Sequence, residues 1–404
     1  MRYSPESINC LYGGGDMTSK LKTKIPVGYF HFHDDVGLNF QFNRALVNQC
    51  PMDEMMEAAQ NIKTYADVKD VMTVLAEKAL AERRILNASF YCRFAEFFCF
   101  GDSAEKKRLF DQFIQLFYKA LEADMIERHK IEYPGGFLKA IRVKPDRSKT
   151  GTVVVHGGGD SFVEEFYLSV RGLVDEGFEV IMFEGPGQGE PLQKYNIRMT
   201  HEWEKPTKAV LDYFDLDNVT LVGISLGGYF ALRAAAFEKR IRRVIAWDVV
   251  YDFFECVMGR NGMLKYYIIN ALVSINAKPI INCIARRQMR GKEMEKWIYD
   301  QMMYTFGAET PFDYLKTLKR YRCTKDISSS VSQDVLLLAG ADDHIIPVRM
   351  YERQFKALVN ARSVEGRIFT KEDHASNHCQ VGNIGLTLNY IIDWINRKSS
   401  EGVT

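Results

Sequence analysis

The chain has 404 residues, which is long for one compact unit and leaves room for a catalytic domain and a smaller helical one. Hydrophobic residues make up 47% of the chain and charged residues 26%, and the formal net charge is +1. This composition allows a large core and gives no global field that would attract nucleic acid or an anionic membrane, so we predict neither as a partner.

The N-terminal segment, MRYSPESINCLYGGGDMTSK, is polar and lacks the apolar stretch of a secretory signal, and translation could begin at Met1 or at Met17. The eight cysteines are scattered without the C-x-x-C spacing of zinc or redox sites. We therefore expect a cytosolic protein with reduced thiols and no bound metal.

A helical pattern runs from Met52 to about Asp124, where apolar residues recur at steps of three and four. Either Asp102 or Ser103 can cap the helix that follows the GDSAE segment. We predict an N-terminal lead-in and helical domain over residues 1–128. Its helices are expected to pack on one another and on a neighbour rather than to bind a cofactor.

The pattern changes at Lys130. The segment KIEYPGGFLKAIRVKP predicts a hairpin with a Pro-Gly-Gly turn, and short apolar strands then alternate with helices. This alternation predicts a mostly parallel, doubly wound sheet covered on both faces, so the fold class is α/β. The sheet domain is predicted in two parts, residues 129–248 and 313–404. The strands are expected at TVVVH, FEVIMFE, VTLVGI, RRVIAWD, DVLLLAG and VEGRIFT.

Residues 249–312 interrupt the alternation with a helical insertion that is rich in Met, Tyr and Phe. An insertion over the C-terminal edge of a sheet can serve as a lid or simply as additional packing, and both interpretations remain open. Within it, residues 266–285 are apolar but are interrupted by Lys278 and Pro279. We therefore predict a buried helix pair here rather than a membrane span, and a soluble protein.

The segment LVGISLGG contains the pattern G-x-S-x-G at residues 223–227, between an apolar strand and an alanine-rich helix. A serine at such a sharp turn is strained and its hydroxyl is exposed, and the glycines on each side relieve crowding. We predict Ser225 as a nucleophile, the alternative being a serine that caps the helix.

A serine nucleophile needs a base, and the base needs an orienting acid. In doubly wound hydrolases the acid and then the histidine follow the serine along the chain, which directs attention to GADDHIIP and FTKEDHASNHCQVGN. Asp342 and Asp343 follow the strand DVLLLAG, and Asp248 occupies a rival position. His374 and His378 could instead be a metal pair, being four residues apart, although no third ligand is evident.

A tetrahedral oxyanion needs two backbone N–H groups. One is expected from Leu226, which follows the nucleophile, and the other from Gly158 or Gly159 in HGGGDS. The FEGPGQGE segment has the wrong glycine spacing for dinucleotide binding and is interpreted as a structural turn. We predict no cofactor.

These motifs together resemble one family. The segments HGGGDSFVEEF, FEGPGQGEP, LVGISLGGYFALRAAA, GADDHIIP and FTKEDHASNHCQVGN resemble α/β-hydrolases that include fungal pigment-pathway polyketide-shortening hydrolases and the bacterial dihydroxypseudooxynicotine hydrolase. The resemblance runs from about Ala81 to the C-terminus. It implies an α/β-hydrolase fold, an N-terminal helical region that shapes the substrate pocket, an inserted helical lid and a homodimer.

The resemblance also implies residue roles. Ser225 corresponds to the nucleophile, Asp343 to the acid and His378 to the base, while Asp160 corresponds to an acidic residue that contributes to catalysis in relatives. The chain departs from the family at two positions. Gly159 and His374 both stand where relatives tend to carry another residue, which puts the substrate range in doubt rather than the triad.

The sequence thus predicts a serine hydrolase acting on a small acyl or ketone compound. Hydrolysis of a carbon–carbon bond next to a ketone is ranked slightly above cleavage of an ester, thioester or peptide. A hydrolase-fold protein that binds without catalysis is the third reading.

Overall fold

The computed structural model describes residues 26–401, apart from the side chains of Asn261 and Glu293. Cys10 and the alternative start at Met17 lie outside these residues. The cysteines within them are free, and most are buried.

An eight-stranded sheet forms the centre of the molecule, with the strand order β1-β2-β4-β3-β5-β6-β7-β8. The first two strands form an antiparallel hairpin, β2 also pairs antiparallel with β4, and the remaining neighbours pair in parallel. The predicted mostly parallel sheet and its hairpin are therefore confirmed. The strands are β1 (Glu127–Tyr133), β2 (Gly136–Val143), β3 (Gly151–His156), β4 (Phe178–Glu184), β5 (Val219–Ile224), β6 (Ile241–Trp247), β7 (Asp334–Gly340) and β8 (Ser363–Phe369).

The central strands are apolar at nearly every position because both faces of the sheet are covered. Every residue of β4, β5 and β7 is buried. Alternate residues belong to different cores: Val153 and Val155 pack in one hydrophobic cluster and Val154 in the other. The sheet is thus doubly wound, as predicted.

The helices fall into four groups along the chain. The N-terminal helices are α1 (Val36–Val47), α2 (Met52–Asn61), α3 (Tyr65–Ala81), α4 (Ile85–Phe97) and α5 (Ala104–Ala120). Those between β3 and β6 are α6 (Val163–Asp175), α7 (Gly189–Tyr195), α8 (Glu204–Tyr213) and α9 (Gly227–Phe237). Between β6 and β7 lie α10 (Phe253–Met258), α11 (Met263–Ser274), α12 (Lys278–Met289), α13 (Glu293–Phe306), α14 (Pro311–Leu318) and α15 (Lys325–Ser330). The last are α16 (Arg349–Ala357) and α17 (Ile384–Ser400).

The predicted N-terminal helices are present, and Ser103 rather than Asp102 caps α5, its hydroxyl accepting from the N–H of Lys106 at 3.2 Å. Helix α1 was not predicted. Two of its asparagines explain why it forms: Asn39 and Asn43 bond back to the backbone of Phe30 and Phe32, which ties the preceding extended segment to the helix.

The prediction of a buried helix pair over residues 266–285 is wrong in part. Helix α11 buries only Ile269 and Val273, and Tyr267 and Ile268 are 61% and 51% exposed. The neighbouring helices α10, α12 and α14 pack against α11, and these exposed side chains lie away from them. Among the described residues, no helix is long and apolar enough to cross a membrane.

A buried set of charges joins the N-terminal helices to the sheet domain. Arg93 on α4 forms ion pairs with Glu96 and with Glu165 on α6, and Glu165 also accepts from Arg44 on α1 at 2.6 Å. Lys106 on α5 pairs with Glu96 at 3.0 Å. Because each of these charges is desolvated, its partners must remain in place.

We expect Arg93→Met to destabilise the protein by about 3 to 5 kcal/mol, because it removes the buried guanidinium that Glu96 and Glu165 share and leaves each carboxylate with one cationic partner. Arg108→Met is the matched control, since Arg108 pairs with Glu105 on the surface, where both side chains are about half exposed, and should cost less than about 1 kcal/mol. Urea denaturation measures both. Equal losses would contradict a structural role for the buried set.

Candidate active site

Ser225 lies at the turn between β5 and α9 with φ of 63°, a conformation that non-glycine residues rarely adopt. The turn is closed tightly: a Cβ at Gly223 would lie 1.9 Å from the carbonyl oxygen of Gly227. The N–H of Ser225 donates to the carbonyl of Trp247 at 2.7 Å, which fixes the turn to the end of β6. This strained turn lifts the hydroxyl above the sheet.

His378 follows β8 and brings its imidazole to this hydroxyl. Its Nε2 lies 2.9 Å from Oγ of Ser225, and its Nδ1 lies 2.7 Å from Oδ2 of Asp343. Since a carboxylate accepts at Nδ1, that nitrogen carries a proton and Nε2 is free to accept from the serine. The other oxygen of Asp343 accepts from the N–H groups of Ile345 and Ile346 at 2.6 and 2.9 Å.

A second carboxylate reaches the same nitrogen. Oδ2 of Asp248, at the end of β6, lies 3.0 Å from Nδ1 of His378. Asp248 also accepts from the N–H of Cys379 at 2.7 Å and from Nε2 of Gln380 at 2.9 Å. Cys379 and Gln380 have φ of 52° and 51°, so Asp248 holds the unusual backbone that follows His378. The sequence offered Asp248 and Asp343 as rivals, and the structure brings both to His378.

The two carboxylates control the charge of the imidazole. Burial alone would lower the pKa of His378, but the charge of Asp343 and the hydrogen bonding of Nδ1–H to both carboxylates raise it well above its usual value. Burial alone would raise the pKa of Asp248. The pKa is nevertheless lowered by the hydrogen bond and charge of His378 and by the hydrogen bonds that Gln380 and Cys379 donate. The pKa of Asp343 is raised by burial, which outweighs His378, and by the neighbouring charge of Asp248.

Two rings cover His378 on the cavity side. Phe40 of α1 has its ring centroid 5.6 Å from that of His378 and 5.1 Å from that of His344. Burial, together with the charges of His378 and Arg260, lowers the pKa of His344 to about 3. His344 is therefore a neutral ring at neutral pH and does not compete for the carboxylates.

The HGGGDS segment packs against the serine turn. A Cβ at Gly158 would lie 2.6 Å from the backbone nitrogen of Leu226, so only glycine allows this approach. Gln188, in the FEGPGQGE turn, donates from Nε2 to the carbonyls of Gly157 and Gly158 at 2.8 Å each. The FEGPGQGE segment is thus a structural turn that supports the loop, as interpreted from the sequence. Gly158 and Gly159 both line the cavity above Ser225.

Asp160 lies at the end of this loop with φ of 49° and is 4% exposed. Its Oδ2 accepts from Nε2 of Gln301 on α13 at 2.8 Å. Its Oδ1 is buried and has no hydrogen-bond partner among the described residues. Asp160 lines the same cavity as Ser225, so its carboxyl group belongs to the cavity wall.

A cavity of about 660 Å³ lies above Ser225. Its walls come from the N-terminal helices, from the HGGGDS loop and from the insertion, and they are largely aromatic or aliphatic. The apolar lining residues include Phe40, Tyr65, Phe97, Phe98, Phe166, Trp247, Trp297 and Ile298. Such a volume and lining suit a ring-bearing or acyl-chain molecule.

His374 does not join His378. It is exposed, and it belongs to no group of described residues that could share a metal ion. The group that could do so is Asp248, His378 and Cys379, in which Asp248 and His378 are already engaged with each other.

Several lining residues escaped the sequence analysis. Phe40 and Arg44 come from α1, whose mixed pattern gave no helix signal, and Trp297 comes from α13. Gln301, also on α13, was missed as the partner of Asp160. Gln301 is fully buried, and a lone glutamine among the aromatic and methionine residues of this helix is the signal that could have identified it.

Residues 152–378 match the sequence profile of a family described as the alpha/beta hydrolase family. The hydrolase acrC of Aspergillus aculeatus is 27% identical over 321 residues, which cover 72% of this chain and 74% of acrC. The 20-hydroxy-prefusarin hydrolase FUS2 of Gibberella moniliformis is 30% identical over 205 residues, or 48% of each chain.

Two solved structures resemble most of the chain. The 2,6-dihydroxy-pseudo-oxynicotine hydrolase superposes with a TM-score of 0.62 at 20% identity, covering 87% of this chain and 94% of that one. AbyA5 superposes with a TM-score of 0.68 at 18% identity, covering 91% and 95%. At these identities the likeness establishes the fold.

We expect Asp343→Asn to lower the pKa of His378, because it removes the negative charge that most favours the imidazolium. Titration of labelled histidine followed by NMR measures this pKa. Asp342→Asn is the matched control, since Asp342 is exposed and pairs with Lys371 at 3.8 Å on the surface. The same His378 pKa in both variants would contradict the described contact.

Proposed function

Because the chain belongs to the alpha/beta hydrolase family, we propose that it is a serine hydrolase in which Ser225, His378 and Asp343 form the catalytic triad. The observation that carries this proposal is the unbroken hydrogen-bonded line from Oγ of Ser225 through His378 to Asp343. The predicted family, fold and enzyme class are confirmed by relatives that are themselves named hydrolases. A binding protein without catalysis is therefore set aside.

The first half of the reaction forms an acyl-enzyme. Oγ of Ser225 attacks the substrate carbonyl carbon as its proton passes to Nε2 of His378, and the carbonyl oxygen becomes an oxyanion. The N–H of Leu226 and that of Gly158 or Gly159 stabilise this oxyanion. The tetrahedral intermediate then collapses, the bond to the leaving group breaks, and the leaving group takes the proton that Nε2 of His378 had received, which leaves His378 neutral.

The second half releases the acid. Water gives a proton to Nε2 of His378 and attacks the acyl carbon, and the second tetrahedral intermediate expels Oγ of Ser225, which recovers the proton. Asp343 keeps the ring oriented and stabilises the imidazolium in both halves. The base must begin neutral, so kcat/KM should rise with pH as His378 loses its proton.

We infer that the bond cleaved is a carbon–carbon bond next to a ketone. An ester leaves as an alkoxide that His378 can protonate, whereas a ketone leaves as a carbanion that must be held as an enolate or protonated as it forms. Asp160 supports this choice, because its unpartnered Oδ1 lies in the cavity wall beside the oxyanion loop. We assign Asp160 as the added acid that such a leaving group needs, relaying to the departing carbon the proton that His378 gives up.

The cavity supports a polyketide-like or aryl ketone as substrate. Its aromatic walls favour a flat or extended apolar molecule. The names of a sequence relative and a structural neighbour agree with a small organic substrate, since one is a 20-hydroxy-prefusarin hydrolase and the other a 2,6-dihydroxy-pseudo-oxynicotine hydrolase. Helix α13 contributes Trp297 to the cavity, which fits the lid interpretation.

The homodimer and the cytosolic location stay predictions.

We expect a fluorophosphonate probe to label native protein at Ser225 and to leave Ser225→Ala unlabelled, because only a serine activated by a base attacks the phosphorus centre. Ser169→Ala is the matched control, since Ser169 lines the same cavity from α6. Mass spectrometry locates the adduct. A folded native protein that is not labelled would end the serine hydrolase proposal.

Asp160→Asn should separate the two chemistries. We expect its kcat on a β-diketone to fall by about a hundredfold, the usual loss when a general acid is removed, while its kcat on an aryl ester falls much less. Asp342→Asn should leave both rates unchanged. Equal losses on ketone and ester would reject the acid role of Asp160 and leave esterase as the better assignment.

A further inference from the structure

Helix α11 presents an apolar stripe to solvent. Leu264, Tyr267, Ile268, Ala271 and Ile275 recur at steps of three and four, which places them on one face of the helix and its C-terminal end. Leu264 is 73% exposed and Ile275 is 74% exposed. A helix that is apolar on both faces normally has both faces covered, whereas no residue in the described part of the chain covers this stripe.

The same segment is strongly basic. Between Glu255 and Glu293 there is no acidic residue, and residues 259–292 contain seven lysines and arginines. Lys278 pairs with Asp313 at 3.2 Å. The other six have no ion-pair partner among the side chains that the structure describes. These six are Arg260, Lys265, Arg286, Arg287, Arg290 and Lys292.

Helices α11 and α12 form a hairpin, because only residues 275–277 separate them. The apolar stripe continues onto its tip, where Ile280 is 51% exposed. The two residues that flank the hairpin, Arg260 and Met294, line the cavity above Ser225. One hairpin therefore connects the cavity wall to an exposed surface that is both apolar and cationic.

We propose that this hairpin docks on an anionic lipid bilayer surface. Exposed apolar side chains enter the boundary between headgroups and acyl chains, while lysines and arginines around them contact acidic headgroups. Docking brings the cavity close to the bilayer, where apolar compounds concentrate. The overall charge of +1 hides the local excess of lysines and arginines in residues 259–292, so the composition predicted no membrane partner.

A second copy of the chain is the competing occupant. An isologous contact would place the same cationic surface on both sides of the interface. No described carboxylate lies within the segment to neutralise these charges, so the two copies would repel each other. The lipid surface complements the hairpin in both charge and polarity, and it is the better occupant.

Vesicle co-sedimentation of the full chain tests the proposal. We expect binding to vesicles of equal parts phosphatidylserine and phosphatidylcholine, weaker binding to pure phosphatidylcholine, and loss of binding at high salt. The double variant Arg286→Glu and Arg287→Glu should weaken binding by about tenfold or more. Tyr267→Ser with Ile268→Ser should weaken binding to both kinds of vesicle.

Matched controls lie on other surfaces. Lys239→Glu with Lys356→Glu changes two exposed lysines, and Val359→Ser changes an apolar residue that is 71% exposed. All variants should keep the thermal midpoint and the fluorophosphonate labelling of native protein. Absence of phosphatidylserine-dependent binding, or equal loss in the controls, would overturn the proposal. A dimer that Tyr267→Ser with Ile268→Ser dissociates, without vesicle binding, would assign the face to a second copy.

Discussion

The imidazole of His378 reaches Ser225 because two buried carboxylates, from the ends of neighbouring strands, hold its other nitrogen. Asp343 lies 2.7 Å and Asp248 3.0 Å from Nδ1. Asp343 is fixed by backbone N–H groups of its own turn, and Asp248 by donors from the residues that follow His378. The loop after β8 is therefore anchored to β6 and β7 at once, and its left-handed backbone at Cys379 and Gln380 is held by these bonds.

The opposite wall of the site depends on a second set of buried polar contacts. Gln301 of the insertion holds one oxygen of Asp160, and Arg93 of the N-terminal helices donates to the backbone carbonyl of Asp160 at 3.1 Å. Arg93 is in turn held by Glu165 on α6. The HGGGDS loop thus connects the N-terminal helices, the insertion and the sheet domain, so that a shift in one of them would also move the loop beside Ser225.

Much of the sheet and of the site could be predicted because those signals are local. The apolar runs specify the strands, and the strained turn around Ser225 requires its glycines. Contacts between distant segments could not be predicted this way. Asp248 and Asp343 each follow a strand, and nothing in their own neighbourhoods shows that both meet His378. Helix α1 forms through Asn39 and Asn43 rather than through an apolar period. The exposed face of α11 is apolar, and hydrophobicity alone therefore predicted, wrongly, that this helix is buried.

The orientation of His378 by two carboxylates is tested most directly by measuring kcat/KM of Asp248→Asn, Asp343→Asn and the double variant. Each single variant leaves one carboxylate to accept from Nδ1, so each should keep part of the activity. The double variant should lose far more than the product of the two single losses. If Asp343→Asn alone were as inactive as the double variant, Asp248 would have no share in orienting the histidine, and the described arrangement would be wrong.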